Sequence, residues 1–530
     1  MKWIIRVGGV MKQSCLLALV IITFGLAIAS GAEIWQRVTV PASHSEINRI
    51  LCAGADLEGN DIQGGRLYFY AEAGQVRKWQ AMGIDARVAD ADVIATYRKI
   101  ASEAVPASSG FANGSMGGFF TLDEALQRLE QYRKINPAIM SAKMSIGTSI
   151  EGRPLWAYKI SDNVKKTENE PRSLFTGLTH AREPQGMMCV LYFIKYIMDH
   201  YGNDPEVTWL VNNRELWFVP ISNPDGYVYN QTTDPLGGGM WRKNRRLNAD
   251  LSTGVDLNRN YDYQWGYDNI GSSPDEWDET YRGTEPFSEP ETAAIKVFSE
   301  KMHFKTAFEF HSYGNWLVYP WGYIDEIPEK ILMNRLSAKL VAQNGFVPGN
   351  SFTTVNYPTN GVSDDWFYGV GHAYCMTAEV GSYIEGGFWP TQSRIEPLAQ
   401  LTLSMNLTFA GMAGSYVTVE SSTLTDASGD GILNTNENGT LRLKISNLGV
   451  GGTSPALSVR VYSNDSRVII VSGGAFTLTA LSPKGKGTNF KVINLKGGAN
   501  SSCGMVTLYV EYSQAEKVIR KDSVKVRVCR

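Results

Sequence analysis

Apolar and polar positions change rhythm three times along this chain. Between residues 33 and 105, alternating stretches such as Arg66-Leu67-Tyr68-Phe69-Tyr70 give way to a helical spacing from Gln75 to Met82, the pattern of a small α/β module. Val105-Pro106-Ala107-Ser108-Ser109-Gly110 and the residues on to Gly118 break that pattern with small and turn-forming side chains, which predicts an exposed, protease-sensitive linker. After Phe119, Thr121-Leu122-Asp123-Glu124 predicts a helix start, with Thr121 as N-cap of an amphipathic run through Tyr132. Short apolar strands (174–178, 216–221, 305–310) then alternate with helical stretches such as 184–201, which predicts an α/β sheet covered by helices. Past Tyr416 the helical spacing disappears. Leu441-Arg442-Leu443-Lys444-Ile445 and Ser458-Val459-Arg460-Val461-Tyr462 alternate with period two, predicting a C-terminal β-sandwich of roughly 110 residues.

With 530 residues the chain exceeds what one hydrophobic core organises, so several units are expected. The boundaries read as an export signal over 1–32, an N-terminal α/β prodomain over 33–112, a catalytic unit over 113–414 and an accessory β-domain over 415–530. A permanent N-terminal domain is the alternative to a removable one. A net charge of −3, with no basic block, excludes a partner that presents a phosphate backbone, so no nucleic acid is expected. Lys12, the apolar run Cys15 to Ala29 and the small residues Ser30-Gly31-Ala32 form the signal pattern, with Met11 as an alternative start. The run is shorter than the roughly 20 residues of a membrane-spanning helix, so no stable membrane insertion is expected once it is cut. The mature or pro-form then begins near Glu33 and is secreted. Loss of Cys15 leaves Cys52, Cys189, Cys375, Cys503 and Cys529, an odd number; Cys503 and Cys529 are the pair suited to an exported β-domain.

The densest chemical signal is Gly177-Leu178-Thr179-His180-Ala181-Arg182-Glu183-Pro184, where an apolar strand ends and a helix starts with proline in its first turn. At that junction His180 and Glu183 can lie on one side, and both are zinc ligands. His311 closes the apolar strand Phe308-Glu309-Phe310-His311 and emerges where an open α/β sheet presents its binding residues. Three protein ligands and an open position make a catalytic zinc site. Glu309, on the same strand face as His311, receives no role.

With these residues in place, the region from about Phe119 to Ala413 resembles the zinc carboxypeptidases of the carboxypeptidase A and B family. The motifs stand in the family's order: His180-Ala181-Arg182-Glu183, Asn223-Pro224-Asp225-Gly226-Tyr227, Trp241-Arg242-Lys243, Val255-Asp256-Leu257-Asn258-Arg259-Asn260 and His311-Ser312-Tyr313. The resemblance implies a mixed central sheet flanked by helices, one catalytic zinc, and peptide or protein substrates with a free C-terminus, handled by a monomer. It implies that Arg242 polarises the scissile carbonyl. Asn258 and Arg259 grip the terminal carboxylate, with Arg182 among the substrate-binding residues. Asp256 orients His180. Counting from Trp366 in Asp364-Asp365-Trp366, Glu379 thirteen residues on matches the general base, and Tyr357 nine residues before matches the tyrosine that closes over substrate. Asp364 matches the base of the side-chain pocket, where an acid goes with C-terminal Lys or Arg, so a basic or mixed preference is expected.

In the C-terminal module Asp426, Ser428, Asp430 and Glu437 occupy positions 1, 3, 5 and 12 around Gly431, the oxygen spacing of a calcium loop; a metal-free β-turn reads equally well. Two other functions compete with the exopeptidase. A cell-wall peptide hydrolase on the same scaffold conflicts with Asn258-Arg259, and a catalytically dead binding protein conflicts with the retained zinc ligands and Glu379.

Overall fold

The computed structural model describes residues 34–102, 111, 113–499 and 502–530. The expected signal segment and Val105–Gly110 of the expected linker lie outside them.

At the N-terminus, β1 (Trp35–Pro41), β2 (Asp61–Gln63), β3 (Arg66–Glu72) and β4 (Arg87–Asp90) form an antiparallel sheet in the order β2-β3-β1-β4. With it come α1 (His44–Cys52), α2 (Ala73–Ala81) and α3 (Val93–Ser102). Alternation along β1 and β3 buries Val38, Leu67 and Phe69 with Trp79 of α2. That core does not close on itself. It continues through Leu57 into Val318, Val355 and Tyr357 of the neighbouring unit.

The next unit begins with α4 (Leu122–Ile135), whose start is fixed locally: Glu124 N donates to Thr121 Oγ1 at 3.3 Å and Thr121 N to Glu124 Oε2 at 2.9 Å. Then follow β5 (Met144–Thr148), β6 (Pro154–Ile160), β7 (Arg172–Gly177), α5 (Pro184–His200), α6 (Pro205–Val211), β8 (Glu215–Val219), α7 (Pro224–Thr233) and α8 (Pro290–Met302). The unit is completed by β9 (Thr306–His311), β10 (Trp316–Val318), α9 (Lys330–Val341), β11 (Val347–Gly349), α10 (Ser363–Gly369), β12 (Tyr374–Glu379) and α11 (Gln392–Met412). Its eight-stranded mixed sheet runs β11-β10-β12-β9-β7-β8-β6-β5. The central strands β12, β9, β7 and β8 are parallel, and β9 and β12 are buried at every residue, as strands covered on both faces must be. Helix α5 is apolar nearly all round because it lies between sheet and α11. Its first turn rests directly on β9: a Cβ on Gly186 would stand 2.5 Å from the Phe310 carbonyl oxygen, so only glycine fits.

The C-terminal unit is all β. One sheet runs β13 (Val417–Asp426), β15 (Asn438–Asn447), β19 (Thr488–Gly497), β17 (Val468–Ser472). The other runs β14 (Ile432–Asn434), β21 (Lys517–Cys529), β20 (Gly504–Gln514), β16 (Leu457–Tyr462), β18 (Ala475–Leu478). Leu443 and Ile493 of the first pack with Leu508 and Val526 of the second. Cys503 and Cys529 are disulfide-bonded, Cα to Cα 4.0 Å, while Cys189 and Cys375 are buried thiols and Cys52 an exposed one. Arg335 of α9 grips Glu420 through two bonds of 2.6 and 2.8 Å, tying this unit to the central one. Among the described residues no helix is long and apolar enough to cross a membrane.

Candidate active site

Parallel pairing of β7 with β9, Gly177 opposite Phe310, brings the turn after β7 beside the end of β9. His180 lies in that turn, Glu183 is the N-cap position of α5, and His311 is the last residue of β9. His180 Nδ1 lies 2.8 Å from Glu183 Oε1, His311 Nδ1 lies 3.0 Å from Glu183 Oε2, and the two Nδ1 atoms are 3.1 Å apart. Two buried imidazole nitrogens facing each other beside a carboxylate fit a shared cation, and this is the donor set zinc takes. The turn is held from below by Asn223, whose Nδ2 donates to the carbonyls of Thr179 at 3.2 Å and Lys243 at 3.1 Å. Burial opposes charge on His180, but Glu183 and Asp256 outweigh it and raise the imidazole to about 10; a divalent ion can take the place of that proton. Burial, helped by the charges of His180 and Arg242, pushes His311 well down.

Asp256 joins several of these groups. Its Oδ1 lies 3.2 Å from His180 Nε2 and accepts from Asn258 N at 2.9 Å, while Oδ2 accepts from Arg242 Nε at 3.2 Å and Nη2 at 2.6 Å. Although burial works against ionisation, Arg242, Arg259 and His180 hold this carboxyl well below the usual range. In the 3-10 turn Leu257–Arg259, Asn258 Oδ1 accepts from Ser363 N and Oγ at 3.0 and 2.8 Å. Arg259 is buried; its Nη1 donates to the Asn258 carbonyl, and its Nε has no partner.

Glu379 ends β12 directly opposite His311. Its Oε2 is buried without a hydrogen-bond partner, and burial together with the charge of Glu183 holds its carboxyl well above the ordinary range. Asp364, in α10, is buried, its Oδ1 accepting from Asp365 N at 3.0 Å, and burial raises it to about 6. Below the His311 row, Glu309 is buried between Thr176, 3.3 Å away, and Ser363. Tyr357 is buried in the cluster containing Leu57.

Two further groups reach the site from the N-terminal unit, and sequence reasoning missed both. Glu58 Oε1 lies 2.9 Å from His180 Nδ1, and its other oxygen pairs with Arg242 Nη1 and, at 3.2 Å, with Arg182 Nη2. Asp56 Oδ2 accepts from Arg182 Nη2 at 2.5 Å. Glu58, His180, Glu183 and His311 each bring a ligand atom within 4.8 Å of the others. Arg182 is thus occupied by carboxylates of its own chain. Asp56-Leu57-Glu58-Gly59-Asn60 reads in sequence as a solvated turn, and no local pattern marks it.

In the expected calcium loop the carboxylates serve the turn's own donors. Asp426 accepts from the amides of Gly429, Asp430 and Gly431 and from Ser428 Oγ, and Glu437 accepts from the amides of Ser428 and Asn434. Among the described residues it is not one of the clusters that converge on an ion. Calcium has no support in this geometry.

The sequence profile of the family described as Zinc carboxypeptidase matches residues 126–405. Carboxypeptidase A1 of Bos taurus is 32% identical over 292 residues, covering 54% of this chain and 67% of its own. A Zinc carboxypeptidase of Saccharothrix mutabilis subsp. capreolus is 30% identical over 396 residues, covering 71% and 89%. Among solved structures, thrombin activatable fibrinolysis inhibitor superposes with a TM-score of 0.59 at 25% identity, over 72% of this chain and 99% of its own. Carboxypeptidase A of Helicoverpa armigera, at 22% identity, shares the fold with a TM-score of 0.61 over 72% and 98%.

Proposed function

The chain belongs to the zinc carboxypeptidase family, and from that premise we propose that it is an exported exopeptidase with a basic or mixed preference for the C-terminal residue, folded here as a latent precursor. Its class, a zinc-dependent hydrolase of peptides, follows from the family. Bound zinc would supply a Lewis acid that polarises a carbonyl and makes water nucleophilic near neutral pH, and His180, Glu183 and His311 are the residues that would hold it.

The rest of the reaction is assigned to this chain's own side chains. Glu379 accepts a proton from the attacking water at Oε2 and returns it to the leaving amine; that oxygen is buried and engaged by no other hydrogen bond. Arg242 donates to the oxyanion as it develops, its guanidinium fixed by two bonds that it donates to Asp256. Arg259 and Asn258 bind the terminal carboxylate, which supports exopeptidase action over internal cleavage. The observation that carries the reading is the meeting of Glu379, opposite His311, with the His180, Glu183 and His311 ligand set.

Basic preference rests on Asp364, a buried carboxylate with Glu309 as a second acid nearby in charge. An apolar side chain would leave it unpaired. Latency rests on Asp56 and Glu58, which occupy Arg182 and Arg242, and on the linker composition that invites cleavage. Export rests on Lys12 and the apolar run after it.

Matched peptides ending in Arg, in Phe and in amidated Arg test the reading, with the full chain assayed before and after limited proteolysis. Expected is release of Arg ahead of Phe, no action on the amide, and activity that rises on cleavage. A clear Phe preference removes the specificity, cleavage of the amide removes the exopeptidase role, and full activity before cleavage removes the latency.

A further inference from the structure

The contacts of Glu58 go further than blocking a cleft. We propose that Glu58 is a fourth protein ligand of the metal in the uncut chain, an inference that rests on the latent-precursor reading. The Glu58 carboxylate is divided between two tasks. Oε1 lies 2.9 Å from His180 Nδ1, within the group of ligand atoms that includes Glu183 and His311. The other oxygen is taken by Arg242, with Arg182 at 3.2 Å. One oxygen on the metal side and the other on Arg242 is an arrangement open to a carboxylate, which has two oxygens to divide. Three protein ligands leave a zinc site open for chemistry, whereas a fourth closes it.

The loop is built to hold Glu58 in that place. Gly59 follows at φ +66°, and a Cβ there would stand 2.8 Å from the Tyr313 ring and 2.9 Å from Phe388. No other residue passes between those rings in that conformation. Asn60 Nδ2 donates to the Val355 carbonyl at 2.7 Å and to that of Leu57 at 2.8 Å, pinning the loop to the central unit and to itself. On the other side Glu58 N donates to Asp56 Oδ1 at 3.0 Å, and the buried Leu57 fills the gap between them. A carboxylate needed only to neutralise Arg242 would not require its second oxygen among the histidine nitrogens.

The test loads the full chain with Co(II) in place of zinc. It records the visible spectrum with and without azide and the rate of cobalt loss to a chelator, with near-UV circular dichroism as the fold check. The wild-type spectrum is expected to ignore azide. Glu58→Ala opens a ligand position, so azide alters its spectrum and cobalt leaves about 10- to 100-fold faster. Glu58→Gln, which keeps the shape of the loop, changes in the same direction. Asp56→Asn, which removes a charge from the same loop but off the metal, leaves the spectrum as in wild type. If the wild-type chain responds to azide and releases cobalt as fast as Glu58→Ala, the ligand role is overturned. Latency is judged separately by peptide hydrolysis before and after proteolysis. An inactive but azide-responsive chain loses only the ligand role, and an active but azide-silent chain loses only the latency.

Discussion

Asp256→Asn changes one atom in the site and should be felt in two places. The native carboxylate faces only donors: His180 Nε2 and Asn258 N on Oδ1, and Arg242 Nε and Nη2 on Oδ2. Donation from Nε2 fixes the tautomer that leaves the His180 Nδ1 lone pair free for a metal. An amide has one carbonyl oxygen and one NH2 group. If the oxygen turns to Arg242, the NH2 group faces Nε2 and favours the tautomer with its proton on Nδ1, the ligand atom. If it turns to His180, the NH2 group faces a buried guanidinium. The first arrangement loses metal affinity by about 10- to 100-fold, roughly 1.4–2.8 kcal/mol. The second breaks a buried ion pair, for which the usual cost is about 3–5 kcal/mol; Arg242 keeps Glu58 as a partner in the uncut chain, which places the loss near the lower end. Arg242 is the stronger donor, so the affinity effect should dominate. Zinc competition with a chelator, paired with thermal unfolding of metal-free and loaded protein, separates the two. Affinity within about threefold of wild type, with an unchanged melting temperature, would refute the argument that Asp256 sets the tautomer.

Glu379→Gln keeps the shape of a residue outside the ligand set, so kcat should fall about 10²- to 10⁴-fold while metal content by elemental analysis stays equimolar; a metal-poor variant would contradict the assignment. Because burial raises Asp364 to about 6, it is charged above that pH and neutral below it. The Arg-to-Phe ratio of kcat/KM should therefore drop as pH falls through about 6, and Asp364→Asn should flatten the profile and lower the ratio at pH 7.5 at least about tenfold. Cys503→Ser opens a bridge with a sequence separation of 26, for which loop-closure entropy gives about 3.5 kcal/mol, read as a lower denaturant midpoint for the C-terminal unit.

What could be read from the sequence was what the chain encodes locally. Thr121 and Glu124 cap each other across one turn, so the start of α4 was legible from four residues. His180 and Glu183 flank a strand-to-helix turn, and His311 ends an apolar strand, so their meeting required only that β7 and β9 be neighbours. The Asp426 loop was ambiguous for the converse reason. Its oxygens suit a cation, but the same spacing lets a carboxylate cap the turn's own amides, as Asp426 does, so spacing alone does not distinguish the two. Glu309 was legible as sharing a face with His311, but its burial between Thr176 and Ser363 comes from separate strands and a helix.

Glu58 is the clearest case of information that no local pattern carries. A Glu in a polar turn is usually solvated, and its neighbours Asp56 and Asn60 give no contrary sign. Burial among Arg182, Arg242 and His180 gives it another role, and those partners are supplied by a different unit of the fold. The resemblance to known carboxypeptidases pointed to Arg242 as the group that polarises the scissile carbonyl and to Arg182 as a substrate-binding group. On the proposed latent-precursor reading both statements hold in turn. Buried cations must be paired, and Asp56 and Glu58 pair Arg182 and Arg242 while the N-terminal unit is in place. Withdrawing that unit removes these two carboxylates while Asp256 stays on Arg242. On that reading the unpaired charge left behind would draw an oxyanion or a terminal carboxylate into the site, and the groups that hold the proposed precursor shut would be the ones that meet substrate once it opens.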